Sequence, residues 1–137
     1  MSLKQLKPMK VLVIDDNPLE GTILKKAFQE ICPQDELLMA GDDVLGMTIL
    51  RTSKSEGHPV DLVLLDLSLP KKDGLEILNE IKNDPELKET PVVIWTNSSW
   101  AADHQASVLL KAAACFVKPP RYADLLDTLK RIKFSLK

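Results

Sequence analysis

The chain has 137 residues with 18 Lys+Arg against 20 Asp+Glu, a formal charge of −2, and is 45% hydrophobic and 28% charged. Such a balance over such a length describes one ordinary globular domain and excludes strong disorder and collagen-like or coiled-coil character. The near-neutral charge leaves no basic footprint for nucleic acid, and no apolar run approaches the roughly 18 residues of a membrane-spanning helix.

Short apolar runs alternate with segments of helical period. Val11-Leu12-Val13-Ile14 is a β-branched-rich run closed by carboxylates, the pattern of a strand buried on both faces. Asn17-Pro18 starts a helix, with Asn as N-cap and Pro at the first helical position. Ile23, Leu24, Ala27, Phe28 and Ile31 follow at helical spacing until Pro33. Leu37-Leu38-Met39-Ala40 is a weaker second strand. Asp42 and Asp43 cap a second helix with Val44, Leu45, Thr48, Ile49 and Leu50, and the polar stretch from Thr52 to Pro59 reads as its exit loop. Val60-Asp61-Leu62-Val63-Leu64-Leu65 is the strongest strand and runs into Asp66. A loop through Pro70 and Gly74 leads to a helix with Leu75, Ile77, Leu78 and Ile81 on its apolar side. The fourth strand, Pro91 to Trp95, delivers Thr96, and an Ala-rich helix between about Ala101 and Ala113 follows. Cys115-Phe116-Val117 is the fifth strand and ends at Lys118; a last helix from about Tyr122 carries Leu125, Leu126, Leu129 and Ile132. Five strands alternating with five helices predict an α/β fold, a doubly wound parallel sheet with helices on both faces.

In an open parallel sheet, ligands sit at the carboxyl ends of the strands. Here strand one ends in Asp15-Asp16, strand three in Asp66, strand four in Thr96 and strand five in Lys118. Crowded carboxylates repel and need a counter-charge, which a hard divalent cation such as Mg2+ supplies through oxygen ligands. Phosphate oxygens complete such a shell, and an ammonium and a hydroxyl neutralise and hydrogen-bond the remaining phosphoryl oxygens. A carboxylate is itself a nucleophile for an aspartyl-phosphate intermediate, and Asp66, ending the central strand, is the candidate. Each residue alone has an ordinary structural role: Asp15-Asp16-Asn17 as a capping cluster, Thr96 as a strand former, Lys118 as a solvated lysine. Their ordered set of five residues at four strand ends carries the chemistry.

Val13-Ile14-Asp15-Asp16-Asn17, Leu64-Leu65-Asp66-Leu67, Pro70 with Asp73-Gly74, Thr96 and Lys118-Pro119 resemble the receiver domains of two-component response regulators. The resemblance covers nearly the whole chain, and the intervals of 30 residues from Asp66 to Thr96 and 22 from Thr96 to Lys118 are ordinary for receivers. It implies a flavodoxin-like, five-stranded sheet in the order 2-1-3-4-5. The expected receiver spans residues 9–134, with 1–8 as an N-terminal extension (1–3 read equally as a cloning remnant) and no output domain. By resemblance Asp66 is the phosphoacceptor, Asp16 a direct Mg2+ ligand, and Asp15 the second acidic residue, acting through water. Ser68 offers its backbone carbonyl to the metal, Thr96 is the switch hydroxyl and Lys118 the phosphoryl-binding ammonium. Ser68 and Ser98 flank the path of the attacking water. A cis Lys118-Pro119 bond aims the lysine at the phosphoryl site.

The same resemblance implies a sensor histidine kinase or phosphotransfer protein as phosphodonor, an unidentified downstream protein as recipient, and a homodimer as a further state. It implies no enzyme activity beyond the protein's own phosphorylation and dephosphorylation. Without an apolar core or cleavage site at Met1-Ser2-Leu3-Lys4-Gln5, the expected location is cytoplasmic. Leu69 to Gly74 and the Ala-rich helix resemble the stand-alone receivers that partner phytochrome-type kinases.

Two positions depart from the family pattern. Cys115 stands where receivers commonly carry a Tyr or Phe; Phe116 is adjacent, and successive strand residues face opposite ways, so it is no simple replacement. The usually small residue after the switch Thr is Asn97. These departures motivate an alternative, a phosphorylation-independent interaction module on the receiver fold, which the intact acidic pair, Asp66 and Lys118 oppose. Aspartyl-nucleophile phosphohydrolases space nucleophile and acid two residues apart after the first strand, unlike Asp15-Asp16-Asn17, and the five glycines make no phosphate-binding loop. Cys32 and Cys115 form no CxxC pair and read as small buried hydrophobes. His58 and His104 read as surface residues, and Trp95 and Trp100 as packing.

Overall fold

The computed structural model describes residues 7–67, 69, 73–97, 105–106 and 108–136. Among them, β1 (Lys10–Ile14) has Val11 to Ile14 all buried, as a central strand covered on both faces requires. α1 (Pro18–Ile31) opens at the expected cap: Asn17 Oδ1 accepts the Leu19 N–H at 3.0 Å, and Pro18 fills a position whose N–H would have no partner. β2 (Glu36–Ala40) is a half-exposed edge strand. Asp42 caps α2 (Asp43–Ser55) by accepting the Leu45 N–H at 2.8 Å.

α2 runs past Thr52 to Ser55, through the first half of the expected exit loop, and Ser53 is buried. The polarity of this stretch belongs to the outer face of a helix rather than to a loop. The turn comes two residues later at Gly57, whose φ of 83° is open to glycine and costly for other residues.

The remaining elements are β3 (Leu62–Leu65), α3 (Gly74–Asn83), β4 (Val92–Thr96), β5 (Ala114–Val117) and α4 (Tyr122–Ser135). β3 starts at Leu62 rather than Val60. Asp61 turns instead to Lys10, whose N–H donates to Asp61 Oδ2 at 2.8 Å. Of the expected helix between residues 101 and 113, residues 105, 106, 108 and 109 are helical, and the Leu110 N–H donates to the Ala106 carbonyl at 3.0 Å. Residues 101–104 and 107 lie outside the described residues. No helix among the described residues is long and apolar enough to cross a membrane.

The strands form one parallel sheet in the order β2-β1-β3-β4-β5. Alternate residues feed two layers. Leu12, Ile14, Val63, Leu65 and Ile94 pack with Met47 and Leu50 of α2 and Ile77, Leu78 and Ile81 of α3. Val11, Val13, Leu62, Leu64, Val93 and Trp95 pack with Leu24 and Phe28 of α1 and Leu125, Leu129 and Ile132 of α4. Cys32 is buried as expected, but Cys115 is only half-buried, because β5 is the sheet's other edge and has a strand on one side only. His58 is exposed and Trp95 buried; His104 and Trp100 lie outside the described residues.

A second polar feature sits in the core. The Lys133 ammonium pairs with Asp35 Oδ2, both side chains wholly buried, and Asp35 Oδ1 accepts the Met9 N–H at 2.9 Å.

Candidate functional site

Register sets the site before any side chain does. Ile14 pairs with Ala40 on one side and Leu65 on the other, so the Asp15 N–H donates to the Ala40 carbonyl at 3.0 Å and the Asp66 N–H to the Ile14 carbonyl at 3.0 Å. The two aspartates therefore leave adjacent strands at the same level. Leu65 in turn pairs with Ile94, two residues before Thr96. Thr96 pairs with Val117, and the Lys118 N–H donates to the Thr96 carbonyl at 2.7 Å.

This arrangement brings carboxylate oxygens of Asp15, Asp16 and Asp66 within 4.8 Å of one another. Asp15 and Asp66 are buried and Asp16 is exposed. Lys118 Nζ lies 3.2 Å from Asp15 Oδ2 and 3.1 Å from Asp66 Oδ2, and it also donates to the Glu20 carboxylate. Asp15 is oriented by its other oxygen, Oδ1, which accepts the Asn17 N–H at 2.9 Å. Thr96 is fully buried at the end of β4. The start of α3 closes on the end of β3: the Gly74 N–H donates to the Leu67 carbonyl at 3.2 Å, and a Cβ at Gly74 would come within 2.5 Å of the Asp66 carbonyl oxygen.

Burial, with a hydrogen bond to the Glu20 carboxylate, raises the Asp15 carboxyl from 3.8 to about 6, against the opposing pull of the Asn17 N–H and Lys118. At Lys118 burial works downward, but hydrogen bonds and charge from Glu20, Asp66 and Asp15 outweigh it, and its pKa is raised. The ammonium is thus held charged by the carboxylates around it. An all-oxygen cluster of three carboxylates suits a hard divalent cation, and one lysine leaves it strongly anionic.

Of the sequence-predicted residues, Asp15, Asp16, Asp66 and Lys118 converge directly, and Thr96 flanks them through its carbonyl. Ser68, Ser98 and Pro70 lie outside the described residues. The expected cis Lys118-Pro119 bond is trans, there being no cis peptide among the described residues. Trans is intrinsically favoured by about 0.5–1 kcal/mol at X-Pro, and the hydrogen bond to Thr96 already fixes where Lys118 leaves β5. Cys115 packs on the α2–α3 side and Phe116 on the α1–α4 side, so Phe116 does not take the aromatic position. Glu20 is the site residue that sequence reasoning missed. A glutamate three residues after an N-cap reads as half of a capping box, and its one distinctive sign is this position beside the Asp15-Asp16 pair.

Comparison with known proteins identifies the family. The family model described as "Response regulator receiver domain" matches residues 11–130. The chain is 33% identical to Response regulator Rcp1 of Synechocystis sp., over 97% of this chain and 92% of that protein. It is similar to the crystal structure of the phosphorylated cyanobacterial phytochrome response regulator RcpA, with a TM-score of 0.82 and 32% identity, covering 93% of this chain and 92% of that one. The crystal structure of the Mn2+-bound form of response regulator Rcp1 gives a TM-score of 0.79 at 33% identity, with 92% of each chain covered. Receiver domains are signalling modules that bind a divalent metal, are phosphorylated by histidine kinases and act through contacts with other proteins. By its family match, its 2-1-3-4-5 sheet and its strand-end carboxylates, the chain belongs to the response regulator receiver domains of two-component systems.

Proposed function

We propose that this protein accepts a phosphoryl group onto Asp66 from a histidine kinase or phosphotransfer protein, with Mg2+ as its metal, and signals by contact with a downstream protein. The receiver so defined spans residues 9–134, with residues 1–8 as an extension. The observation that carries the reading is the Lys118 ammonium, 3.1 Å from Asp66 Oδ2 beside three converging carboxylates.

Asp15, Asp16 and Asp66, with the Ser68 carbonyl, would hold the cation, and their all-oxygen donor set fits it. Bound there, a divalent cation supplies charge neutralisation to the phosphoryl oxygens. Asp66 provides the nucleophile: a carboxylate oxygen attacks phosphorus, the N–P bond of the donor phosphohistidine breaks, and its electron pair leaves with the imidazole. Lys118 offsets the charge of the transferred phosphoryl group, and the Thr96 hydroxyl donates to one of its oxygens. Hydrolysis reverses the covalent step, water attacking phosphorus and the Asp66 carboxylate leaving; Ser68 and Ser98 tune its rate.

Incubation with acetyl phosphate and Mg2+, followed by intact-mass measurement, tests this. Wild type gains one phosphoryl mass and Asp66→Asn does not. Equal labelling of both would overturn the assignment.

A further inference from the structure

Three carboxylates hold Lys118, and two of them, Asp15 and Asp66, come from strand ends. The third is Glu20, in the first turn of α1. A glutamate at this position ordinarily reaches back to the N-cap's own N–H. That N–H, on Asn17, donates instead to Asp15 Oδ1 at 2.9 Å. Relieved of the helix end, Glu20 turns across the site to the ammonium.

An ammonium has three N–H donors, and Asp15, Glu20 and Asp66 take one each. A phosphoryl oxygen arriving at Asp66 can claim Lys118 only by displacing one of the three. Asp15 is locked by the Asn17 N–H and has a side chain only 1% exposed. Asp66 carries the incoming group. Glu20 is 24% exposed, against 7% for Asp66, and borders a cavity of about 290 Å3 that also reaches Trp95 and Lys118. A carboxylate that water reaches gives up a hydrogen bond at least cost.

We infer that Glu20 is a positioning residue that competes with the phosphoryl group for Lys118, holding the ammonium over the acidic site until transfer and yielding it on arrival. This rests on Asp66 being the phosphoacceptor. The α1 turn thereby becomes part of the site: its glutamate is bound to Lys118 in one state and released to the cavity edge in the other.

Glu20→Gln weakens the competitor, and Glu20→Asp keeps the charge on a shorter side chain. With acetyl phosphate and Mg2+, Glu20→Gln is expected to label several-fold faster than wild type, up to about tenfold for one charge-assisted hydrogen bond, with Glu20→Asp between the two. In a Lys118→Met background the Glu20→Gln change should have no effect, since a double-mutant cycle isolates action through that lysine. The same acceleration in that background would reduce Glu20 to a general negative charge and overturn the inference, as would an unchanged rate in the single variant.

A measurement without metal or phosphodonor separates this inference from the reading beneath it. The Lys118 ammonium 1H–15N signal is expected to be visible in wild type and in Glu20→Asp, and broadened by fast exchange in Glu20→Gln. A signal indifferent to Glu20 would overturn the competition even if Asp66 is labelled. Failure of wild type to take label would overturn the phosphoacceptor assignment, and this inference with it, whatever the ammonium signal shows.

Discussion

Lys118 Nζ lies 3.1 Å from Asp66 Oδ2, joining residues 52 positions apart across two strand ends. The Lys118 side chain is 8% exposed, and the two strand-end carboxylates it touches, Asp15 and Asp66, are too buried for water to replace it.

Removing that ammonium leaves a cluster of like charges. Lys118→Met is expected to destabilise the metal-free protein by about 3 kcal/mol, the scale for stripping one partner from a buried ion pair. A divalent cation binding the same carboxylates should restore more stability to the variant than it adds to wild type. Urea unfolding with EDTA and with saturating Mg2+ measures both. Equal gains in the two proteins would show that lysine and cation do not share these carboxylates.

Asp15 makes stability depend on pH in the direction opposite to an ordinary paired carboxylate. Its carboxyl is raised from 3.8 to about 6, so its contribution is fully present below about pH 4 and is lost as pH rises through about 6. Without metal, Asp15→Asn is therefore expected to gain on wild type between about pH 5 and about pH 7.5. Chemical unfolding in EDTA at the two pH values gives the comparison. A 13C titration of Asp15 should show a midpoint near 6 that Mg2+ moves downward, because the cation competes with the proton.

Gly74 is required by contact. A Cβ there would stand 2.5 Å from the Asp66 carbonyl oxygen and 2.7 Å from Leu67 Cα, backbone atoms that cannot rotate away. Gly74→Ala should cost about 1–3 kcal/mol by overpacking and slow phosphorylation, since the displaced peptide carries Asp66. Gly41→Ala, where a Cβ meets nothing within 4 Å, is the comparison and should stay within about 0.5 kcal/mol of wild type.

At the opposite end of the sheet, Lys133→Met isolates the charge of Asp35 in a wholly buried position. The expected loss is about 3–5 kcal/mol. Adding Asp35→Asn removes the stranded charge while keeping an acceptor for the Met9 N–H, and should recover most of it. Non-recovery in the double variant would mean that packing of the Lys133 stem, rather than charge, holds this region.

Much of the fold is legible in local pattern. Asn17-Pro18 and Asp42 each cap the helix that follows, because a side-chain oxygen meeting an unpaired N–H is a short-range event. The all-buried runs of β1, β3 and β4 are equally local, since a strand covered on both faces has no polar alternation. α2 was harder to bound: Thr52 to Ser55 carry loop-like residues on a helix whose inner face still buries Ser53.

The sequence by itself determined five parallel strands and the residues standing at their carboxyl ends, because parallel strands all deliver their last residue to one edge. Tertiary structure alone decided which partners the charges outside that strand-end set take. Glu20 reaches Lys118 across 98 positions, and Asp35 reaches Lys133 across the same interval. No periodicity encodes such pairs: a charged side chain takes its partner from whichever surfaces the core brings together, and burial then sets how strongly each holds the other.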